Sequence, residues 1–221
     1  MLRGLFVTGT DTGVGKTVVS AALIHRYRRD TPLRYWKPIQ TGIEQDDDTG
    51  DVARLAECNA DELCTSGIRL ARPLSPHLAA RLSGTTIGIE SLVNTIARAL
   101  DERAWIVEGA GGVLVPVNDH QMMRDLIVMM DLPVVIAART ALGTINHTLL
   151  TIEALRRREV RVAGVVMVGE PNGDNRAAVE RYGEVTVLGE MPRFPRLTSQ
   201  DLAAWATSEL DPEGRLVELL R

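Results

Sequence analysis

The sequence predicts a single three-layer α/β domain spanning 1–221, with a mostly parallel sheet flanked by helices. Three observations carry this. Six or seven short apolar runs alternate with segments whose apolar residues recur at helical spacing, the order in which parallel strands and crossover helices follow one another. Neither a repeat nor a linker divides the chain, and 221 residues suffice for one core. Leu5 to Ser20 reads as an apolar strand, a loop of small residues and a helix start, and the remaining segments are organised around it.

Leu2 to Thr8 is the first strand. Thr8 to Gly15 is the loop, with Thr12, Gly13, Val14 and Gly15 leading into Lys16-Thr17 and a helix to about Arg29. Glycines let backbone N–H groups turn toward an anion, the helix N-terminus adds its positive end, and Lys16 adds a mobile charge. The loop is therefore read as a phosphate cradle, with the Thr17 hydroxyl placed for Mg²⁺. It is a variant of G-x-x-x-x-G-K-[ST], since Thr10 stands where the pattern wants glycine and Gly9 lies one place early.

Leu33 to Lys37 is a second strand. The segment Lys37-Pro38-Ile39-Gln40-Thr41-Gly42 leaves its C-terminal end, where open parallel sheets place ligands, so Lys37 points toward the rim that holds Lys16. These are the only two lysines among 25 basic residues. A compact ammonium differs from a planar guanidinium, which marks both for roles that arginine would not fill. The acidic run Asp46-Asp47-Asp48 is read as a solvated loop in preference to a metal site, with Thr49 or Gly50 capping a helix that contains Asp51, Val52, Leu55 and Ala56.

Residues 59 to 88, broken by Pro73, Pro76 and Gly84, are expected to form short helices, and His77 in Ser75-Pro76-His77 is read as structural. Ile89, Leu92, Val93, Ile96 and Leu100 give one amphipathic helix from Ile89 to Arg103. Ala104 to Val107 is a buried strand ending in Glu108 and then Gly109-Ala110-Gly111-Gly112, an apolar strand with a terminal carboxylate of the kind that holds Mg²⁺ beside phosphate loops. Met122 to Met130 reads as core helix and Pro133 to Ala138 as a strand. Leu142-Gly143-Thr144-Ile145-Asn146-His147 opens a helix that presents a second set of N–H groups at the rim. A strand from Val162 to Val168, a helix near Asp174 to Tyr182, a strand from Val185 to Leu188, the loop Gly189 to Arg196 and two final helices complete the chain.

Net charge near −4 and a pI near 5.6, with no basic stripe, argue against a nucleic-acid binder. No run approaches the roughly 18 apolar residues of a membrane span, and no signal region opens the chain, so no membrane association and a cytoplasmic location are expected. Cys58 and Cys64 lie six apart with no second pair and are read as free thiols.

Taken together, Thr8 to Thr17, Lys37 to Gly42, Ser75-Pro76-His77, Val107 to Gly112 and Leu142 to His147 resemble the dethiobiotin synthetases, a branch of the P-loop NTPase superfamily. The resemblance implies a homodimer that uses Mg²⁺ and ATP to close a ureido ring on 7,8-diaminononanoate with CO₂ or bicarbonate, releasing ADP and phosphate. It implies Mg²⁺ ligands at Thr17, Asp51 and Glu108, all hard oxygen donors. Nucleotide contacts fall on Thr12 to Thr17, Asp51, Glu108, Gly109, Ala110 and Gly111, with Pro192, Arg193 and Phe194 beside the base. Lys37 and Lys16 are the catalytic cations, Lys37 and Thr41 receive the carbamate, and Gly143, Thr144 and Asn146 receive the substrate carboxylate from the partner subunit. Two positions depart from the family pattern. Gly13 stands where an acid is frequent, and Val168-Gly169 replaces an Asn-Asp pair that reads adenine, which predicts use of other nucleoside triphosphates beside ATP. The competing readings are a regulatory ATPase switch of the partition or positioning type, which shares the loop, and another amide-forming ligase of the same fold.

Overall fold

A computed structural model describes residues 2–97 and 102–221. Among these described residues seven parallel strands form the main sheet: β1 (Gly4–Gly9), β2 (Leu33–Trp36), β4 (Leu63–Cys64), β6 (Ala104–Gly112), β7 (Val134–Arg139), β8 (Val162–Val168) and β9 (Val187–Met191). Their order is β4-β2-β6-β1-β7-β8-β9, which puts the loop-bearing β1 at the centre between β6 and β7. A two-stranded parallel ribbon, β3 (Ile39–Thr41) with β5 (Ile68–Leu70), stands beside it.

The central strands are buried along nearly their whole length, successive side chains turning to opposite faces that are both covered by helices. Leu5 and Val7 point to one side, where α1 (Lys16–Tyr27), α2 (Asp48–Leu55) and α8 (Ser199–Ser208) bring Leu23, Val52, Leu55, Leu202 and Trp205. Phe6 points to the other, with Trp36 and Trp105 in an edge-on pair. That side is closed by α4 (Ile89–Ala97), α5 (Met123–Met130), α6 (Thr144–Arg156) and α7 (Gly173–Gly183), the short α3 (Pro76–Leu82) adding Ala79 and Ala80. The terminal α9 (Val217–Leu220) seats Leu220 in the first cluster. Val7 pairs in register with Glu108, so the sheet itself sets the end of β6 beside the loop.

The alternation of strands and helices is as the sequence implies, but several elements differ: Ile39–Thr41 is a strand within the segment read as leaving β2, β6 runs on to Gly112, and the last strand is Val187–Met191 instead of Val185 to Leu188. Residues 59–88 were expected to be short helices; a 3₁₀ turn (Ala60–Glu62), β4, β5 and only one α-helix are found there. β4 and β5 are two and three residues long, too short for any periodicity, and exist because β2 and β3 offer unpaired edges. The helix after the acidic run starts at Asp48 instead of being capped by Thr49 or Gly50. The predicted helix Ile89 to Arg103 is found as Ile89–Ala97, Leu100 lies outside the described residues, and Glu102 and Arg103 are not helical. Both cysteines are free thiols, and among the described residues no helix is long and apolar enough to cross a membrane.

Candidate functional site

The C-terminal ends of β1, β2 and β6 open into one cavity of about 710 Å³, lined by loop residues Thr12, Gly13, Gly15, Lys16, Thr17 and Val18, by Lys37 and Thr41, and by Glu108, Ala110 and Gly111. The loop is shaped by left-handed glycines. Gly13 has φ +68° and Gly15, which precedes α1, has φ +98°. A side chain at Gly15 would be strained by that backbone and would also press on Val168, whose methyls lie 3.2 Å from where its Cβ would be. Lys16 turns back along the loop and donates to the Asp11 carbonyl at 3.0 Å. Burial first, and then the neighbouring Lys37 charge, lower its pKa to about 8 against the pull of Glu108, Asp48 and Asp11.

Glu108 is the pivot of the site. It is fully buried, and both carboxylate oxygens are committed. Oε2 accepts from Ser20 Oγ at 3.0 Å and Tyr35 OH at 2.9 Å; Oε1 accepts from Lys37 Nζ at 2.7 Å and lies 3.1 Å from Thr17 Oγ1, whose single proton it shares with Asp48. Such a set satisfies the hydrogen-bonding capacity of a buried carboxylate without water. Tyr35 stays protonated and donating, because burial and the Glu108 charge hold its pKa well above the ordinary phenol value.

Lys37 reaches the same point from the end of β2. Its ammonium lies 2.7 Å from Glu108 Oε1, 2.7 Å from Asp48 Oδ2 and 3.0 Å from the Gly109 carbonyl. Burial opposes the charge, yet the two carboxylates outweigh it and raise the Lys37 pKa. Asp48 likewise ends below the usual carboxylate range: partial burial pushes its pKa up, and the Lys37 ammonium and the Thr17 hydroxyl, at 2.9 Å from Oδ1, pull it down further.

The structure thus brings together Lys16, Thr17, Lys37, Thr41, Glu108, Ala110 and Gly111, with Gly109 contributing its carbonyl to Lys37. It does not bring Asp51 there. Asp51 sits on the outer side of α2, with its side chain 51% exposed and its carboxylate 2.8 Å from Arg54 one turn on. The acidic position is supplied by Asp48 from the first turn of the same helix, so part of the run read as a solvated loop faces the phosphate cradle. The 100° advance per residue explains the exchange. When Val52 and Leu55 pack inward, Asp48 lies one turn from Val52 on their face and Asp51 falls beside it, toward water.

Ser20 and Tyr35 also escaped the sequence reading, although each carried a signal. Ser20 is one turn after Lys16 on the loop helix, and Tyr35 is two residues before Lys37, on the same side of an extended chain. Gly143, Thr144 and Asn146 do not line the Lys37 cavity; Gly143 and Thr144 open onto a separate small cleft with Asp11, Val14 and Arg139. Pro192, Arg193 and Phe194 follow β9 and line no part of the cavity either, Phe194 packing on the α1 side of the sheet. Ser75 and Pro76 line the cavity whereas His77 does not.

The donors at the loop suit a small hard cation. Among the described residues no group of three or more His, Cys, Asp or Glu is arranged for a metal. Two carboxylates and a hydroxyl face one point instead, the oxygen-only set that Mg²⁺ uses with phosphate and water. At the end of β8, Gly169 has φ +142°, and a Cβ there would lie 2.3 Å from Thr140 Oγ1, so no side chain can project from this position toward a base.

A family model described as an AAA domain matches residues 3–201. The chain is 50% identical over 202 residues to the ATP-dependent dethiobiotin synthetase BioD of Paramagnetospirillum magneticum, covering 91% of this chain and 94% of that one. It is 44% identical over 198 residues to the enzyme of the same name from Brucella ovis, covering 90% of each. Among solved structures, Cyanthece apo McdA superposes with a TM-score of 0.62 over all of both chains at 14% identity, a likeness of fold alone.

Proposed function

The chain belongs to the dethiobiotin synthetase family, and from that premise we propose how its residues divide the work. It is an ATP-dependent ligase that forms C–N bonds, closing the ureido ring of dethiobiotin on 7,8-diaminononanoate with CO₂. The observation that carries the assignment of roles is the sharing of one cavity by a phosphate loop and a buried lysine: Lys16 and Thr17 line it together with Lys37 and Thr41.

One amine of the substrate adds CO₂ to give a carbamate. Its oxygen attacks the γ-phosphorus of ATP and ADP leaves; the second amine then attacks the carbonyl carbon and expels phosphate. The loop N–H groups and Lys16 hold the phosphate oxygens, and Lys37 holds the carbamate oxygen in line with the γ-phosphate, with Thr41 as a hydrogen-bonding neighbour. Thr17, Asp48 and Glu108 would hold Mg²⁺, which when bound neutralises charge on the phosphates. Ser20 and Tyr35 fix the Glu108 carboxylate so that Oε1 faces the cavity.

The substrate carboxylate is held by the N-terminal end of α6, at Gly143, Thr144 and Asn146, of a second subunit. Two features support this. These residues do not line the Lys37 cavity of their own chain, and exposed apolar side chains lie nearby for a homodimer to cover, Leu142 just before the helix and Leu114 and Leu150 on one shallow cleft with His147. The base is read weakly, because Val168 offers no hydrogen bond and Gly169 admits no side chain, so GTP, CTP and UTP serve beside ATP. A soluble, cytoplasmic dimer acting on these small molecules is the resulting picture.

The test is phosphate release by the purified chain with Mg-ATP. Dependence on both diaminononanoate and bicarbonate is expected. Release that ignores both would favour an ATPase switch.

A further inference from the structure

The two-stranded ribbon holds the start of α2. Gln40 of β3 and Arg69 of β5 are partners in register, so their side chains stand beside each other on one face of the ribbon. The opposite face is anchored in the core by Ile39, Ile68 and Leu70. From the first face the two side chains reach consecutive residues of the acidic run. Gln40 Nε2 donates to the Asp46 carbonyl at 2.9 Å, and Arg69 Nη2 donates to Asp47 Oδ1 at 2.9 Å. Asp48, the next residue, opens α2 and meets Thr17 Oγ1 and Lys37 Nζ. The Asp47 carbonyl accepts the first bond of that helix, from Asp51 N at 2.8 Å, so fixing Asp47 also fixes where the helix starts and which way Asp48 faces.

The chemistry of Gln40 shows that these grips serve placement more than stability. Gln40 is 1% exposed, yet its Oε1 has no hydrogen-bond partner among the described residues, so the buried amide carries an unpaired acceptor beside its one donated bond. The carbonyl it serves belongs to an exposed residue, which water can reach. An apolar side chain of similar volume would therefore fill the position with little loss of stability. What only the amide supplies is a directed bond to the loop.

We propose that Gln40 and Arg69 are positioning residues of the reaction, through which the ribbon sets the acidic loop, and with it Asp48, against Thr17 and Lys37. The proposal rests on the reading above that Asp48 serves the phosphate-transfer site. Neither Gln40 nor Arg69 lines the cavity, so each acts through the loop and not on the substrates.

A cycle with Asp48→Asn tests it, with turnover followed as diaminononanoate-dependent phosphate release. Gln40→Met should lower kcat about three- to tenfold, the scale of one neutral hydrogen bond, and Arg69→Met up to about fivefold, the scale of an exposed ion pair. Arg69→Lys should keep most of the activity. Melting temperatures should stay within about 3 °C of wild type. With Asp48 already asparagine, each substitution should change turnover by less than about twofold, because the group it positions is gone. Equal losses in both backgrounds, or lowered melting temperatures with unchanged turnover, overturn the proposal.

Crystal structures of the variants give a readout without turnover, and Arg69, with its side chain 39% exposed, supplies a variant that folds should Gln40→Met fail. Asp48 Oδ2 should stand farther from Lys37 Nζ than its present 2.7 Å, or divide between two positions. An Asp48 that keeps one position and that distance in every variant overturns the proposal. Failure of the parent chain to form dethiobiotin would sink the functional reading and leave this placement to the structures. Full activity with an unmoved Asp48 in both variants would sink this inference alone.

Discussion

Asp48→Asn compared with Asp51→Asn separates the acid that the fold places in the site from the acid that the family resemblance implied. Asparagine is nearly isosteric and still accepts from Thr17, so the change removes charge and little else. Asp48 makes two contacts, 2.9 Å from Thr17 Oγ1 and 2.7 Å from Lys37 Nζ, with its side chain 28% exposed. Hydrogen bonds to a charged group contribute about 1.5–3 kcal/mol and neutral ones about 0.5–1.5, so each contact loses about 1 kcal/mol, less some screening at this exposure. A loss of about 1–2 kcal/mol, or roughly 3–6 °C in Tm for a chain of this size, is expected. Turnover should fall further, about a hundredfold or more, because a fixed charge aimed at the reacting phosphates is gone. Asp51→Asn removes only an exposed pair with Arg54, a contribution of about 0.3–0.5 kcal/mol. Its turnover should stay within about twofold of wild type, as for surface changes in general. Thermal melts and diaminononanoate-dependent phosphate release across a Mg²⁺ titration measure both. Asp51→Asn proving the more damaging of the two would refute the placement of the helix face.

Gly169→Ala should cost about 2–3 kcal/mol, since a Cβ would stand 2.3 Å from Thr140 Oγ1 at φ +142°; a drop in Tm that Thr140→Ala partly restores is the signature. With each nucleoside triphosphate in turn, kcat/KM for dethiobiotin formation should lie within about tenfold of the ATP value, and a preference above about a hundredfold would mean that some other residue reads adenine. Burial, only partly offset by the Arg28 guanidinium, pushes the Cys58 thiol up to about 11, so its alkylation by iodoacetamide should be slow at pH 8 and rise about tenfold per pH unit toward pH 11. Full-rate labelling of Cys58 at pH 8, read by peptide mass spectrometry, would contradict this.

The parts of the site that lie on strand ends were legible before the structure, because a strand's direction fixes its C-terminal rim. Lys37 and Glu108 could be assigned to that rim from two apolar runs and the residues that end them. What could not be read was anything that depends on helix phase or on a partner across the sheet. The acidic run Asp46 to Asp48 and Asp51 just beyond it offered four carboxylates, and only the packing of Val52 and Leu55 selects which of these turns inward. Spacing puts Ser20 on the side of Lys16 and Tyr35 on the side of Lys37, but that both meet Glu108 follows from the pairing of Val7 with Glu108 and Tyr35 with Ile106, registers that pattern does not encode. The same holds for β4 and β5, which are strands because of their neighbours.

The central claim is that a carbamate held at Lys37 is carried into a ureido ring at the expense of ATP. Isotope transfer tests it most directly. Purified chain given Mg-ATP, diaminononanoate and ¹³C-bicarbonate should yield dethiobiotin carrying the label in its ureido carbon, with one ADP formed for each ring closed, and Lys37→Gln should reduce both together. ADP formation without labelled dethiobiotin, or labelled product formed at the wild-type rate by Lys37→Gln, would contradict it.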